Sequence, residues 1–510
     1  MEYCDHLDNE GKFVDRDQKD TYLASGDGQE TFINKFNYHG FRYVKISNLT
    51  VKPAKEAITA YLIHTDYYMS SDFECSDNDM NRIHDMIFYT LRCLSLGGYL
   101  VDCPQIERLG YGGDGNASTE TAQMMFGLGP LYSNWLQAWG DCIREDGGMP
   151  HTAPNPYAAG GGPYWCGFII SASWKTYLSF GDTLILEKYY PVMKKWLGYV
   201  EKYSLTGLLK RWPDTDYRVW YLGDWASPEG VNEKSENSID LVSNSFVCMC
   251  YDYMQKIAEV IGKTDDIQQF SIKRDKLKKL VHQTYYKADS KTYAEGTQID
   301  LCFPLLAGIV PDSLISKVKE NLSFEIENNH KGHIACGLVG IPVFTEWAVE
   351  NNASQLVYSM LKKRDYPGYL YMIDNGATTT WEEWKNSRSY IHNCFNGIGA
   401  WFYQAPGGIR MDKDYPAWNH VIIDPQIPDG ITWANTTKET PYGPVRVNWK
   451  IDGALFKMQL DIPVGVKSKI IIPEGVLKYT LNDEDYDLKQ ELEFIEILSG
   501  KYYFSCILKQ

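Results

Sequence analysis

Residues 247–281 read VCMCYDYMQKIAEVIGKTDDIQQFSIKRDKLKKLV. Val247, Cys250, Met254, Ile257 and Ile261 recur three or four residues apart, the spacing of one helix face, and Gly262 supplies a C-terminal stop. The period resumes at once through Ile267, Phe270, Arg274, Leu277 and Val281. Two helices joined so tightly form an antiparallel hairpin. The same spacing links Met80, Ile83, Ile87, Leu91 and Leu94, and again Leu131, Trp135, Ala138, Trp139 and Cys142. The pattern predicts about ten to twelve helices between residues 75 and 405, with few strands. No fixed repeat of about 34 or 40 residues is visible, which disfavours a solenoid and favours a closed α/α barrel.

Both flanks read differently. Before Ser76 the period is about two: Phe32–Phe36, Phe41–Ile46 and Ile58–His64 are short, β-branched or aromatic, and bounded by turn residues. They predict strands, too few to close a sandwich. Ser76 with Asp79 resembles a capping box that opens the first helix. After Gly408 alternation returns, in Val445, Val447, Trp449 and Ile451 and then in Ala454, Phe456, Met458, Leu460 and Ile462 beyond the turn Asp452-Gly453. Lys469–Pro473 and Tyr502–Leu508 add strands. The expected organisation is a partial N-terminal β-sandwich over 1–72, a helical catalytic domain over 73–405 and a C-terminal antiparallel β-sandwich over 406–510.

Composition narrows the function. The chain has 510 residues, 44 % hydrophobic and 23 % charged, an ordinary globular balance that suggests about three domains. The net charge of −16, from 50 basic against 66 acidic residues, argues against a nucleic-acid surface. The 37 tyrosines and 15 tryptophans suit cores with polar edges, and also sugar faces. Twelve cysteines contain no C-x-x-C pair, so zinc and thioredoxin readings lack support. The ten histidines do not cluster as metal ligands, and no metal or cofactor is expected. No run of about 18 apolar residues is present. Met1–Lys12 is polar and acidic, unlike a signal peptide. A soluble protein is expected, periplasmic or cytoplasmic, with oligomeric state open.

Two stretches carry candidate chemistry. Val101–Gly115, VDCPQIERLGYGGDG, holds Asp102, Glu107 and Asp114 among four glycines, with Arg108 placed to steer one acid. It reads as a loop before a helix starting near Ser118 or Thr119. It lacks the Lys-Ser/Thr ending of a phosphate loop, and three acids would repel phosphate. Asp374–Trp384, DNGATTTWEEW, sets Glu382 and Glu383 between Trp381 and Trp384. A carboxylate against an indole loses solvation, which raises its pKa. In a helix adjacent residues point about 100° apart, so one of the two glutamates would face a cleft. Two distant carboxylates in aromatic loops fit glycoside hydrolysis, which needs one acid for the departing oxygen and another to activate water or attack the sugar. No G-x-S-x-G elbow and no HExxH are present.

The first stretch resembles the signature of the α-L-rhamnosidases of glycoside hydrolase family 78, roughly Asp-Cys-Pro-x-x-Glu-Arg-Leu-Gly-(Trp/Tyr)-x-Gly-Asp. Gly376–Trp384 resembles a second signature, Gly223-Asp224-Trp225 a third and Gly162-Pro163-Tyr164-Trp165 a fourth. Tyr38–Val44 resembles the end of a sandwich before the barrel. The resemblance implies an (α/α)6 barrel flanked by β-sandwiches and release of terminal α-L-rhamnose with inversion. It implies Glu107 as general acid and Glu382 as general base. Asp102 and Asp114 would hold rhamnose hydroxyls, and Tyr111, Trp165, Trp220 or Trp225, and His392 would line the pocket. Arg108, Asp224 and Trp381 fall in the same motifs and join the expected substrate-binding set. Ile106 replaces a polar or basic residue, and Gly167 stands where many members have Asp, so one substrate contact is expected to be missing. The chain is expected to begin inside the N-terminal sandwich. The alternatives are a lyase acting on rhamnosyl-glucuronate polysaccharide with the same sugar contacts, and an inactive sugar-binding homologue.

Overall fold

The computed structural model describes residues 1–156, 159–213, 218–385, 388–488 and 493–508. Helices dominate the middle of the chain. Asn78–Leu94 buries Met80, Ile83, Ile87, Leu91 and Leu94, the face its spacing predicts. Its N-cap is Asp77, whose carboxylate accepts the Asp79 N–H, in place of the expected Ser76. The Ser76 hydroxyl instead accepts the Thr432 N–H. The hairpin of Glu236–Val260 and Thr264–Tyr285 forms as expected, with Gly262 at φ 69° in the left-handed region.

Six helices pack in succession. Gly112–Met125 packs on Phe168–Phe180, which packs on Glu236–Val260, followed by Gln298–Leu306, Gly340–Glu350 and Gly399–Gln404. The last returns to Gly112–Met125. Outside them lie Asn78–Leu94, Gly129–Asp141, Thr183–Tyr203, Thr264–Tyr285, Asp312–Phe324 and Ser354–Leu361, each against one inner helix. Among the described residues of this region, the parallel pairing is confined to Ala159–Gly161 with Arg218–Trp220. No helix of the described residues is long and apolar enough to cross a membrane.

The flanks depart from expectation in three ways. Phe32–Phe36 and Ile58–His64 form no strand, and Phe36 is fully exposed. Within Phe41–Ile46, Tyr43–Lys45 pairs with Glu2–Cys4. Alternating apolar residues stay strands only where a partner covers one face. Second, Ser71–Cys75 joins the far end of the chain, pairing antiparallel with Trp433–Thr440 at the edge of a seven-stranded sheet. Third, the C-terminal region is not wholly antiparallel: His420–Ile423 and Lys467–Ile471 run parallel in a second, four-stranded sheet. Gly443–Asp452, Leu455–Ile462 and Gly500–Ile507 lie antiparallel as the alternation implies. This sheet grips the helix behind the site. The buried Lys438 Nζ, its pKa pushed down to about 7 by burial, donates to the carbonyls of Gln123 and Met124 at the C-terminal end of Gly112–Met125.

Candidate active site

The helix Gly112–Met125 starts about six residues before the expected position. Residues 112–119 are all buried, so no amphipathic period marks them, and the glycines read as a loop. Their absent side chains have a packing cause. A Cβ on Gly112 would meet the Trp165 carbonyl oxygen at 2.0 Å, and one on Gly113 would meet Trp165 Nε1 at 2.2 Å. The first turn therefore lies flush on Trp165 and presents Asp114.

Ahead of it, Asp102 closes its own loop. Its Oδ1 accepts the Leu109 N–H at 2.8 Å, and its N–H donates to the Leu109 carbonyl. Between them, the Cys103 thiol donates to both Asp102 Oδ2 and Glu107 Oε2, at 3.1 and 3.2 Å. The second acidic segment is not a helix. It folds back on itself, with the Glu382 N–H on the Ser389 carbonyl and the His392 N–H on the Thr380 carbonyl. The Asn393 N–H then donates to the Asp102 carbonyl, sewing the two loops together. The N-terminal segment braces both. Asp5 Oδ2 accepts from Gln105 Nε2 at 3.1 Å and from the Tyr390 N–H at 3.0 Å.

These loops meet in a cavity of about 220 Å³. Asp102, Glu107, Asp114, Glu382 and His392 line it. Tyr111, Trp165, Trp220 and Trp225 supply the aromatic wall. His151 extends that wall, with ring centroids 5.1 Å from both Tyr111 and Trp220. Three expected residues are elsewhere. Arg108 points away, donating to Asn37 Oδ1 at 2.8 Å and lying over the Tyr38 ring. Asp224 is fully buried and accepts the N–H groups of Gly337, Val339 and Gly340, anchoring the start of a helix. Trp381 is 0 % exposed and packs on Tyr390 outside the cavity lining. Glu383, adjacent to Glu382, does not line the cavity.

Arg388 is the residue the sequence reading missed. Its Nη1 donates to Glu382 Oε1 at 2.7 Å and its Nη2 to Glu107 Oε1. One guanidinium thus spans acids 275 positions apart (382 minus 107). No motif carries it: it lies six residues past Glu382, and its second partner, Glu107, becomes a neighbour only through the fold.

The electrostatics separate the acids. Burial raises Asp102 and Asp114 well above the carboxylate range, and repulsion adds to it, from Glu107 at Asp102 and from Asp102 at Asp114. Asp114 Oδ1 is buried without a hydrogen-bond partner. Burial also raises Glu382, to about 7, against the pull of Arg388. At Glu107 burial is outweighed, chiefly by Arg388 and the Cys103 thiol, and the pKa falls below its ordinary value. Burial drops His392 to about 3, so its ring is neutral at pH 7.

Asp102, Cys103 and His392 bring donor atoms within 4.8 Å of one another, as do Asp114, His392 and Cys394. Both thiols are held protonated by burial, and a thiol ligates metal as the thiolate, so these donors fit a hydrogen-bond network better than a cation. A larger cavity of about 710 Å³ opens at the other end of Gly112–Met125. Its charges pair internally, Lys175 with Glu120 and Glu346, and Lys413 with Glu346 and Glu350.

The family model described as the bacterial alpha-L-rhamnosidase 6 hairpin glycosidase domain matches residues 69–405. The chain belongs to the bacterial α-L-rhamnosidase family. The C-terminal domain model of that family matches 408–485, and its concanavalin-like domain model matches 1–64. An alpha-L-rhamnosidase of an Alteromonas species is 26 % identical over 96 % of this chain and 54 % of its own length. One from Streptomyces avermitilis is 27 % identical over 89 % and 43 %. The structure of an alpha-L-rhamnosidase from Dictyoglumus thermophilum superposes with a TM-score of 0.92 at 27 % identity, over 99 % of this chain and 58 % of that one. The chain spans about half the length of the curated α-L-rhamnosidases it matches.

Proposed function

We propose that this chain hydrolyses terminal α-L-rhamnosides with inversion at the anomeric carbon, in a pocket at one end of an (α/α)6 barrel. The proposed units are 1–72, 73–405 and 406–510. The observation that carries the reading is the guanidinium of Arg388 touching Glu107 and Glu382 together, which puts two acids from remote loops on one small, aromatic-walled cavity. Names and family membership of the relatives support the sugar.

In this reading the ring sits on Trp165 and Trp225, and its hydroxyls meet Asp102, Asp114 and the neutral His392. Asp114 Oδ1 and Glu382 Oε2, both buried and without a hydrogen bond among the described residues, are the acceptors offered to the sugar. Glu107 protonates the departing glycosidic oxygen. Glu382 takes a proton from water as that water attacks the anomeric carbon from the opposite face. The sugar leaves as the β-anomer. Burial favours the neutral form of Asp102 and Asp114, and a neutral carboxyl donates as well as accepts, which suits a polyhydroxylated ligand.

The test is the leaving-group dependence of two variants. Glu107→Gln removes the proton donor and slows poor leaving groups by about 10²–10⁴-fold, while an activated aryl rhamnoside suffers much less. Glu382→Gln disables the attacking water and slows both substrates alike. Full activity in Glu382→Gln would end this assignment.

A further inference from the structure

We propose that Arg388 is a latch on the catalytic pair: its guanidinium bridges Glu107 and Glu382, and productive substrate binding requires it to let go of Glu107. The inference rests on the acid and base assignment above and goes beyond it by naming what holds the resting state.

Geometry carries the argument. An inverting hydrolase needs the anomeric carbon and a water between its two carboxyls. Here that space is spanned by one planar cation, with one terminal nitrogen on each acid. A glycosidic oxygen approaching Glu107 must take the place that Nη2 holds. The latch enters from outside: the Arg388 side chain is 44 % exposed, whereas Glu382 is 1 % exposed. A guanidinium with that access to water can leave at small desolvation cost, whereas the carboxylate beneath it cannot. The backbone beside it is held, since the Arg388 carbonyl accepts from Arg16 Nη2 at 2.7 Å, so the side chain is the part that swings. Each acid keeps a second oxygen off the latch: Glu107 Oε2 faces the Cys103 thiol, and Glu382 Oε2 has no hydrogen-bond partner among the described residues.

Protonation agrees. A general acid must carry a proton, and a carboxyl paired with a guanidinium gives its proton up. Burial raises Glu382 while Arg388 helps draw Glu107 down, so the latched pair favours its proton on Glu382 over Glu107. The groups facing the pair are Asp102, Asp114, Cys103, Glu383, His392 and Arg388. Arg388 is the cation among them, since His392 is neutral. Release of Glu107 therefore raises its proton affinity at the moment the glycosidic oxygen arrives.

The experiment compares the full chain with Arg388→Met and Arg388→Lys, using an aryl α-L-rhamnoside and free L-rhamnose. A latch competes with ligand, so Arg388→Met is expected to bind L-rhamnose severalfold more tightly by calorimetry and to show a lower KM. The alkaline limb of kcat/KM should move up by about one pH unit, because an opposite charge at this range lowers an acid by about 1–3 units. Arg388→Lys restores part of the shift. A KM that rises severalfold with an unmoved pH limb would make Arg388 an ordinary substrate contact and overturn the latch. Should no rhamnoside be cleaved by the parent chain, the functional reading fails separately. The latch is then read by NMR titration of the Glu107 and Glu382 carboxyl carbons. Their pKa values rise in Arg388→Met if it holds, and stay put if it does not.

Discussion

Asp5 lies more than a hundred positions from any pocket residue except the first acidic loop, yet it should control the site. In Asp5→Ala two donors lose this acceptor: the half-buried Tyr390 N–H, 3.0 Å from Oδ2, and the buried Gln105 Nε2, 3.1 Å away, which keeps its other bond to Ser389 Oγ. His6, 14 % exposed, also loses a partner but can turn to water. A buried donor left unpaired costs about 1–3 kcal/mol, so two cost about 2–4 kcal/mol once some relaxation is allowed. The loss falls on the segment carrying Glu382, Arg388 and His392, and on the loop carrying Glu107. If it appears as local opening, amide exchange at Tyr390 and its neighbours accelerates about 30- to 900-fold, at tenfold per 1.36 kcal/mol. The two loops would lose register by an amount of order 1 Å, which costs about 10²-fold in rate. The assays are hydrogen exchange resolved over residues 380–393 and kcat/KM on an aryl rhamnoside. Unchanged exchange in that segment together with unchanged kcat/KM would refute the claim that the N-terminal segment braces the site.

Three further outcomes are expected. Asp224→Ala should lose about 3–6 kcal/mol of stability, seen in denaturant unfolding, because three backbone N–H groups lose their acceptor; a folded variant with raised KM alone would restore Asp224 to the substrate. Arg108→Ala should leave kcat/KM within about twofold, since its guanidinium lies on Asn37 and Tyr38 away from the cavity. For pH, the active form needs one proton shared between Glu107 and Glu382. Because burial lifts Glu382 to about 7, the pair holds that proton up to pH 7 and loses it above, so kcat/KM should fall about tenfold per unit beyond that point. A profile still rising from pH 7 to 9 would contradict the assignment.

Helices with one buried face were legible, because a 3.6-residue period survives in the text of Asn78–Leu94 and of the hairpin at 236–285. Gly112–Met125 was not legible at its start, since a helix buried all round shows no period and its glycines serve Trp165. The N-terminal strands were over-read: Ile58–His64 is rich in β-branched and aromatic residues, but without a covering partner Ile58 and Ile63 stay in solvent. Pocket residues that sit inside contiguous motifs, Asp102 to Asp114 and Glu382, could be found by reading along the chain. Motif membership also drew in Arg108, Asp224 and Trp381, which the same motifs use for structure. The reach of Arg388 to Glu107 and of Asp5 to Tyr390 crosses hundreds of residues, and a linear pattern holds no trace of those contacts.

The central claim, that Glu382 drives water onto the sugar face opposite the leaving group, reduces to the anomer first formed. Proton NMR during the first turnovers on an aryl α-L-rhamnoside, before mutarotation, should show β-L-rhamnose alone. The α-anomer appearing first would make the second acid a nucleophile, and an unsaturated uronate from a rhamnosyl-uronate substrate with no rhamnose released from the aryl glycoside would replace hydrolysis with elimination.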